Sequence, residues 1–240
     1  MEVIRARQRV SLRGTATPTN DEEEKEGMMA KTLVITIARQ YGSGGREIGE
    51  RVAKMLDIPL YDRQLITDAA AKGNLSEDVI RTTDESAANS LLYTLAMGSN
   101  TFGTAMHFGY KMPLNDKLFI LQSEVIKEYA AKGNCVIIGR CADYVLRDKA
   151  NLFRVFIYGD LEHRKARVLE RHPEVKSSQV VEIINRTDKR RASYYNFYTG
   201  NKWGRYDNYD MAVNSSTLGI DGTAKLIALS AKNLLENDGT

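Results

Sequence analysis

Residues 33 to 49, LVITIARQYGSGGREIG, constrain the fold more than any other stretch of this chain. Leu33 to Ala38 is too uniformly apolar to alternate and reads as a buried strand. Gly45 to Leu56 reads as a helix with Ile48, Val52, Met55 and Leu56 on one face. Between them, three glycines and a serine in four consecutive residues make a turn. Gly42, Gly44 and Gly45 let the backbone take positive φ and approach an anion closely, and the helix that follows points its unpaired N–H groups and dipole at the same place. Such a turn is expected to bind phosphate. The pattern departs from the full phosphate-loop motif G-x-x-x-x-G-K-[ST], which, ending on Gly44, needs glycine where Arg39 stands, lysine where Gly45 stands and serine or threonine where Arg46 stands. A dinucleotide pattern G-x-G-x-x-G begun at Gly42 fails at Glu47.

Beyond this segment, strand and helix signals alternate. Ile58 to Tyr61, Cys135 to Gly139, Phe153 to Tyr158 and Asp210 to Val213 are further short apolar strands. Helical patterns run from Asp62 to Gly73, over Ser76 to Met97 as one helix or two, and from Leu114 to Ala131. Asp62, Asp160, Ser177 and Asp221 are expected N-caps. Gly98 to Pro113 has no clear period and reads as a loop over a site. Buried strands separated by helices imply an α/β fold with a parallel sheet covered on both faces, in which ligands collect at the carboxyl ends of the strands. Those ends carry Arg39 to Arg46, Asp62-Arg63, Arg140, Gly159-Asp160 and Asn214, a set suited to a phosphorylated ligand.

At 240 residues, 42% apolar and 27% charged, the chain can build one sizeable core. No apolar run approaches the roughly 18 residues of a membrane span, and no hydrophobic signal core follows the N-terminus, so a cytoplasmic protein is expected. Cys135 and Cys141 lie in an apolar stretch, which suits buried thiols better than a disulfide or a metal site. A net charge of +3 does not by itself imply nucleic-acid binding. Residues 1 to 30 mix a basic start with an acidic run and show no apolar period, and they read as a disordered extension before a domain spanning 31 to 240. The Met28-Met29 pair also permits a start at that point.

Taken in order, the glycine turn, the Gly139-Arg140 strand end, Leu161-Glu-His-Arg164, Asp188-Lys-Arg-Arg191 and Tyr209 to Asn214 resemble the cytidylate kinase-like branch of the P-loop nucleoside monophosphate kinases over about residues 31 to 236. The resemblance implies a three-layer P-loop kinase-like fold with a parallel sheet, a helical monophosphate-binding insertion and a basic lid. It also implies ATP and Mg2+ as cofactors and transfer of the γ-phosphoryl group to CMP, dCMP or a similar acceptor. Carried onto this chain, Gly42, Ser43, Gly44, Gly45, Arg46 and Arg164 would hold the nucleotide phosphates, and Asp62, Arg63 and Arg140 the acceptor. Arg46, Asp188 and Arg191 would act at the reaction centre. The metal ligand is not indicated, because the family's lysine is Gly45 here and its magnesium-binding serine or threonine falls at Arg46 or Glu47. Arg46 or Arg39 would have to supply the missing charge. Cys141 stands for the last residue of the family's Gly-Arg-Asp, and Asp68 falls where an acceptor-binding arginine belongs, with Arg63 the candidate substitute.

Several assignments have two readings. Residues 186 to 205 carry Arg186, Lys189, Arg190, Arg191, Lys202 and Arg205 against Asp188 alone. They read as a solvated basic helix, as a lid that closes on phosphates, or, with Tyr194, Tyr195, Phe197, Tyr198, Trp203, Tyr206 and Tyr209 interleaved, as a stacking platform for single-stranded nucleic acid. Nucleotides are the expected partners, and nucleic acid and membranes are not. Arg140 is read as a phosphate ligand or half of an ion pair, Arg164 and Arg167 as cleft residues or an exposed face, and Asp62 as a site residue or an N-cap. A nucleotide-binding regulatory protein with little turnover, and a kinase for another small acceptor, are the alternatives to the monophosphate kinase.

Overall fold

The computed structural model describes residues 32–74 and 114–236. The expected extension at 1 to 30, the helical stretch Ser76 to Met97, the loop Gly98 to Pro113 and most of the monophosphate-binding insertion lie outside the described residues.

Each apolar run expected to form a strand does so. β1 (Val34–Arg39), β2 (Leu60–Tyr61), β3 (Cys135–Ile138), β4 (Leu152–Tyr158) and β5 (Met211–Asn214) form one five-stranded sheet in the order β2-β3-β1-β4-β5. All its pairings are parallel, with Ile35 opposite Val136 on one side and Phe153 on the other. β1 is central, which is why Val34, Ile35 and Ile37 are fully buried and why its run shows no polar alternation.

Helices cover both faces. α1 (Gly45–Leu56) and α7 (Ser215–Glu236) pack on one, where Ile48, Val52, Ala224, Ile227 and Ala231 join Ile35, Ile37, Ile138 and Val155. α2 (Gln64–Gly73), α3 (Leu114–Ala131) and the short α4 (Ala142–Val145) cover the other with Leu65, Val125, Ile126 and Ala142. The result is the expected three-layer α/β architecture. α1 lies close on the sheet because Gly49 offers no side chain; a Cβ there would meet Ile138 Cδ1 at 2.6 Å. The buried face of α1 thus centres on Gly45, Ile48, Gly49, Val52 and Ala53, and Met55, expected inside, is left exposed.

α5 (Leu161–Arg171) and α6 (Val180–Thr199) complete the described helices. The expected caps fare unevenly. Asp160 occupies the N-cap position of α5, but its carboxylate accepts a hydrogen bond from Asn214 Nδ2 at 3.0 Å instead of capping the helix. Arg63 takes the cap position of α2 in place of Asp62, whose carboxylate pairs with Arg46. α6 starts at Val180 after a turn closed by Gln179 N–H on the Lys176 carbonyl, so Ser177 does not cap it. α7 begins directly at the end of β5, breaks at Gly219 (φ 65°, ψ 179°) and resumes, while Asp221 pairs with Arg51.

Candidate phosphate-binding cleft

The glycine loop follows from its neighbours. Gly42 (φ 80°) and Gly44 (φ 77°) are left-handed as expected, whereas Gly45, expected to share that conformation, is the first residue of α1 and does not adopt it. A Cβ on Gly42 would lie 2.8 Å from the Arg164 carbonyl oxygen, so the loop is pressed against the start of α5. Gly44 is the N-cap residue of α1 and supplies no side-chain cap to the first amides of that helix. Ser43 faces inward; its hydroxyl donates to the Gln40 carbonyl at 2.9 Å, and its own carbonyl accepts from Ser215 Oγ at 2.7 Å. Three further bonds pin the loop. Tyr41 N–H donates to Asp188 Oδ1 at 2.7 Å, and Arg164 Nη1 donates to Asp188 Oδ2 at 2.6 Å and to the Tyr41 carbonyl at 3.2 Å.

Above the loop, at the carboxyl ends of β1, β2 and β3, opens a cleft of about 1060 Å³. Gly42, Gly44, Gly45, Arg46, Asp62, Arg63, Arg140 and Arg191, all expected in the site, line it together. Ser43, Arg164 and Asp188 do not line it. They lie behind its wall, because the serine hydroxyl shapes the turn and the arginine and aspartate neutralise each other while holding Tyr41.

Three further arginines in the cleft come from the long helices. Arg167, Arg171 and Arg190 line it too, whereas Arg186 is exposed on α6 and does not. Arg167 and Arg171 both donate to Glu47 Oε2, and Arg51 Nη2 donates to Glu47 Oε1 at 2.8 Å. Burial would raise the Glu47 carboxyl, but the hydrogen bond and charge of Arg167, with Arg171 and Arg51, outweigh it and hold the group below its ordinary range. The signal was present in the sequence as cations at 164, 167 and 171, one helical stripe; what it could not show is that Arg167 and Arg171 meet Glu47 while Arg164 meets Asp188. Arg46 Nε lies 3.2 Å from Glu50 Oε1 and 3.1 Å from Asp62 Oδ2, tying the loop to the start of α2.

Arg140 is held differently. Gly139, Arg140 and Cys141 are three successive left-handed residues, with φ 69°, 59° and 55°. For the two that carry a Cβ this conformation costs roughly 1 kcal/mol each. Burial, with a smaller contribution from Arg191, lowers the Arg140 guanidinium to about 10 against the favourable fields of Tyr194 and Asp62. It stays protonated at neutral pH. Beneath it, Tyr195 Oη donates to buried Asp143 at 2.7 Å; burial raises the Asp143 carboxyl, and that hydrogen bond opposes the rise. Tyr194, Tyr195 and Tyr209 are buried, and Trp203 packs edge-on to Phe156 with centroids 5.3 Å apart. These rings form packing surfaces rather than the exposed platform a single strand of nucleic acid would need.

A left-handed glycine loop opening α1 at the end of a central parallel strand, beneath a cleft lined with arginines, defines an α/β protein of the P-loop kinase-like class. The profile of the cytidylate kinase-like family matches residues 34–217, and the chain belongs to that family. Among solved structures it is similar to an uncharacterized protein from Eubacterium ventriosum, with 25% identity, a TM-score of 0.59, and coverage of 83% of this chain and 98% of that one. It also matches a shikimate kinase from Bacteroides thetaiotaomicron (13% identity, TM-score 0.47, 86% and 100% covered). A gluconokinase from Sinorhizobium meliloti matches at 14% identity and TM-score 0.45, with 87% and 98% covered. No curated protein matches the chain. No described helix is long and apolar enough to cross a membrane.

Proposed function

We propose that the protein transfers the γ-phosphoryl group of ATP to a nucleoside monophosphate, CMP or dCMP before others, in the cytoplasm. One observation carries this reading: the glycine loop and the Arg140 strand end face a single cleft, so donor and acceptor phosphates can meet there. In this scheme Gly42, Gly44 and Gly45 receive the donor phosphates on backbone amides, and Arg46 and Arg167 add charge. Arg140 and Arg63 grip the acceptor phosphate, with Asp62 beside them. Arg191, whose Nη1 donates to the Arg39 carbonyl at 3.0 Å, stands over the loop and stabilises charge on the phosphoryl group in flight. Asp188 and Arg164 act as positioning residues through Tyr41. No covalent nucleophile is required, since rate enhancement comes from alignment and fixed charge.

Magnesium fits this cleft through the phosphates. Glu47 and Asp62, the carboxylates that line it, are both paired with arginines, and no group of three metal-ligating side chains occurs among the described residues. Such a site suits an ion that keeps its waters and takes phosphate oxygens with at most one or two carboxylates. Bound there, the ion would neutralise the charge shared by the β and γ phosphates.

The test is a coupled assay with ATP, magnesium and a panel of nucleoside monophosphates. Turnover is expected to be highest with CMP or dCMP. Tight nucleotide binding without transfer to any acceptor would replace the kinase with a regulatory nucleotide-binding protein, and transfer only to a different small molecule would correct the acceptor.

A further inference from the structure

Arg39 ends β1, and its Cβ and Cγ lie 2.5 and 2.9 Å from where a Cβ on Gly45 would stand. Gly45 is the first residue of α1 and is not left-handed, so its backbone does not call for glycine. Arg39 does, because its stem fills that space. At its far end the guanidinium fills the place of a Cβ on Gly139, with Nη1 against it and Cζ 3.2 Å away. The side chain therefore runs through a slot walled by two glycines, from the first turn of α1 to the end of β3 beside Arg140, and it lines the cleft.

The standard phosphate-loop register has glycine at the first position and lysine at the seventh. Here the cation stands at the first, Arg39, and glycine at the seventh, Gly45. The contact between these two positions means that the departures are not independent losses. We infer that they are one exchange of a side chain across the loop, and that Arg39 replaces the missing lysine, delivering a guanidinium to the transferring phosphoryl group from the strand instead of an ammonium from the helix. Arg46 is a weaker claimant, its side chain being half exposed. A planar fork fixed between two glycines can hold two phosphoryl oxygens at once with little ordering left to do. The inference rests on the donor-phosphate site proposed above.

The experiment compares Arg39→Gln, Arg39→Gly, Gly45→Lys and the double variant Arg39→Gly with Gly45→Lys, titrated calorimetrically with ATP and with inorganic tripolyphosphate. Arg39→Gln keeps the slot filled without charge and should lose ten-fold or more in affinity for both. Gly45→Lys alone should melt lower or bind weakly, since two side chains then compete for one space. The double variant restores the ordinary register and should recover most of the binding. Undiminished binding by Arg39→Gln, or a folded double variant no better than Arg39→Gly, would overturn the exchange alone. A wild-type protein that binds neither ATP nor tripolyphosphate would overturn the donor site itself.

Discussion

The helix side of the cleft, built from α1, α5 and α6, holds its arginines by pairing them, whereas the strand end at β3 holds Arg140 against the cost of burial. On the first wall Glu47 collects Arg51, Arg167 and Arg171, and Asp188 neutralises Arg164 while gripping the backbone of the glycine loop. On the second, two left-handed residues with side chains carry a guanidinium that burial shifts downward. A paired wall contributes to stability in the resting protein. A strained wall with a buried charge costs stability, a cost that the phosphate binding proposed above would offset.

The largest effect should come from breaking the buried pair on the first wall. Asp188→Asn leaves Arg164 charged, nearly buried and without its carboxylate, and should lower unfolding free energy by about 3 kcal/mol in denaturant titrations. A loss under about 1 kcal/mol would mean that this wall is not held by pairing. Next, Tyr195→Phe on the second wall removes the side-chain donor of buried Asp143, which keeps its backbone hydrogen bonds from Asp143 and Tyr144, and should cost about 1.5 kcal/mol by the same measurement.

Arg140→Gly sharpens the contrast, because it should move stability and function in opposite directions. Relief of the left-handed strain and of the desolvated charge should raise unfolding free energy by about 1 kcal/mol, while monophosphate binding is lost. If the variant melts lower than wild type, Arg140 supports the fold and the second wall resembles the first.

The smallest effect concerns pH. The Glu47 carboxyl is held below its ordinary value of 4.5, so its pairing contributes stability that is fully present above pH 4.5 and is lost as pH falls through the lower folded value. Glu47→Gln should therefore remove a shallow acid limb, worth under about 1 kcal/mol for a partly exposed network, from a plot of stability against pH. An unchanged limb would show that the three arginines stay in place without the carboxylate.

Much of this architecture was legible before any coordinates. Residues 33 to 49 specified strand, glycine turn and helix in order, and the later apolar runs specified the other parallel strands, because runs of apolar residues and glycine positions act over a few neighbouring residues. The same locality explains the misses. Asp62 has the composition of an N-cap, but Arg46, on another helix, claims its carboxylate. Whether the aromatics of 194 to 209 stack or pack could not be read locally; α6 and the segment after it set Tyr194, Tyr195, Trp203 and Tyr209 among Phe119, Cys141 and Phe156 and leave Tyr206 exposed.

The sequence by itself determined the layered α/β fold, the left-handed glycine turn and the wealth of cations near it, since each depends on backbone preference or on side-chain type within one element. Only the tertiary structure decided which arginine meets Glu47, which lies behind the wall with Asp188, and that Arg39 occupies the room left by Gly45. Those outcomes depend on side chains brought to within a few ångströms of each other by the packing of separate strands and helices. At that range, excluded volume and charge pairing select one arrangement among many that the local sequence would equally allow.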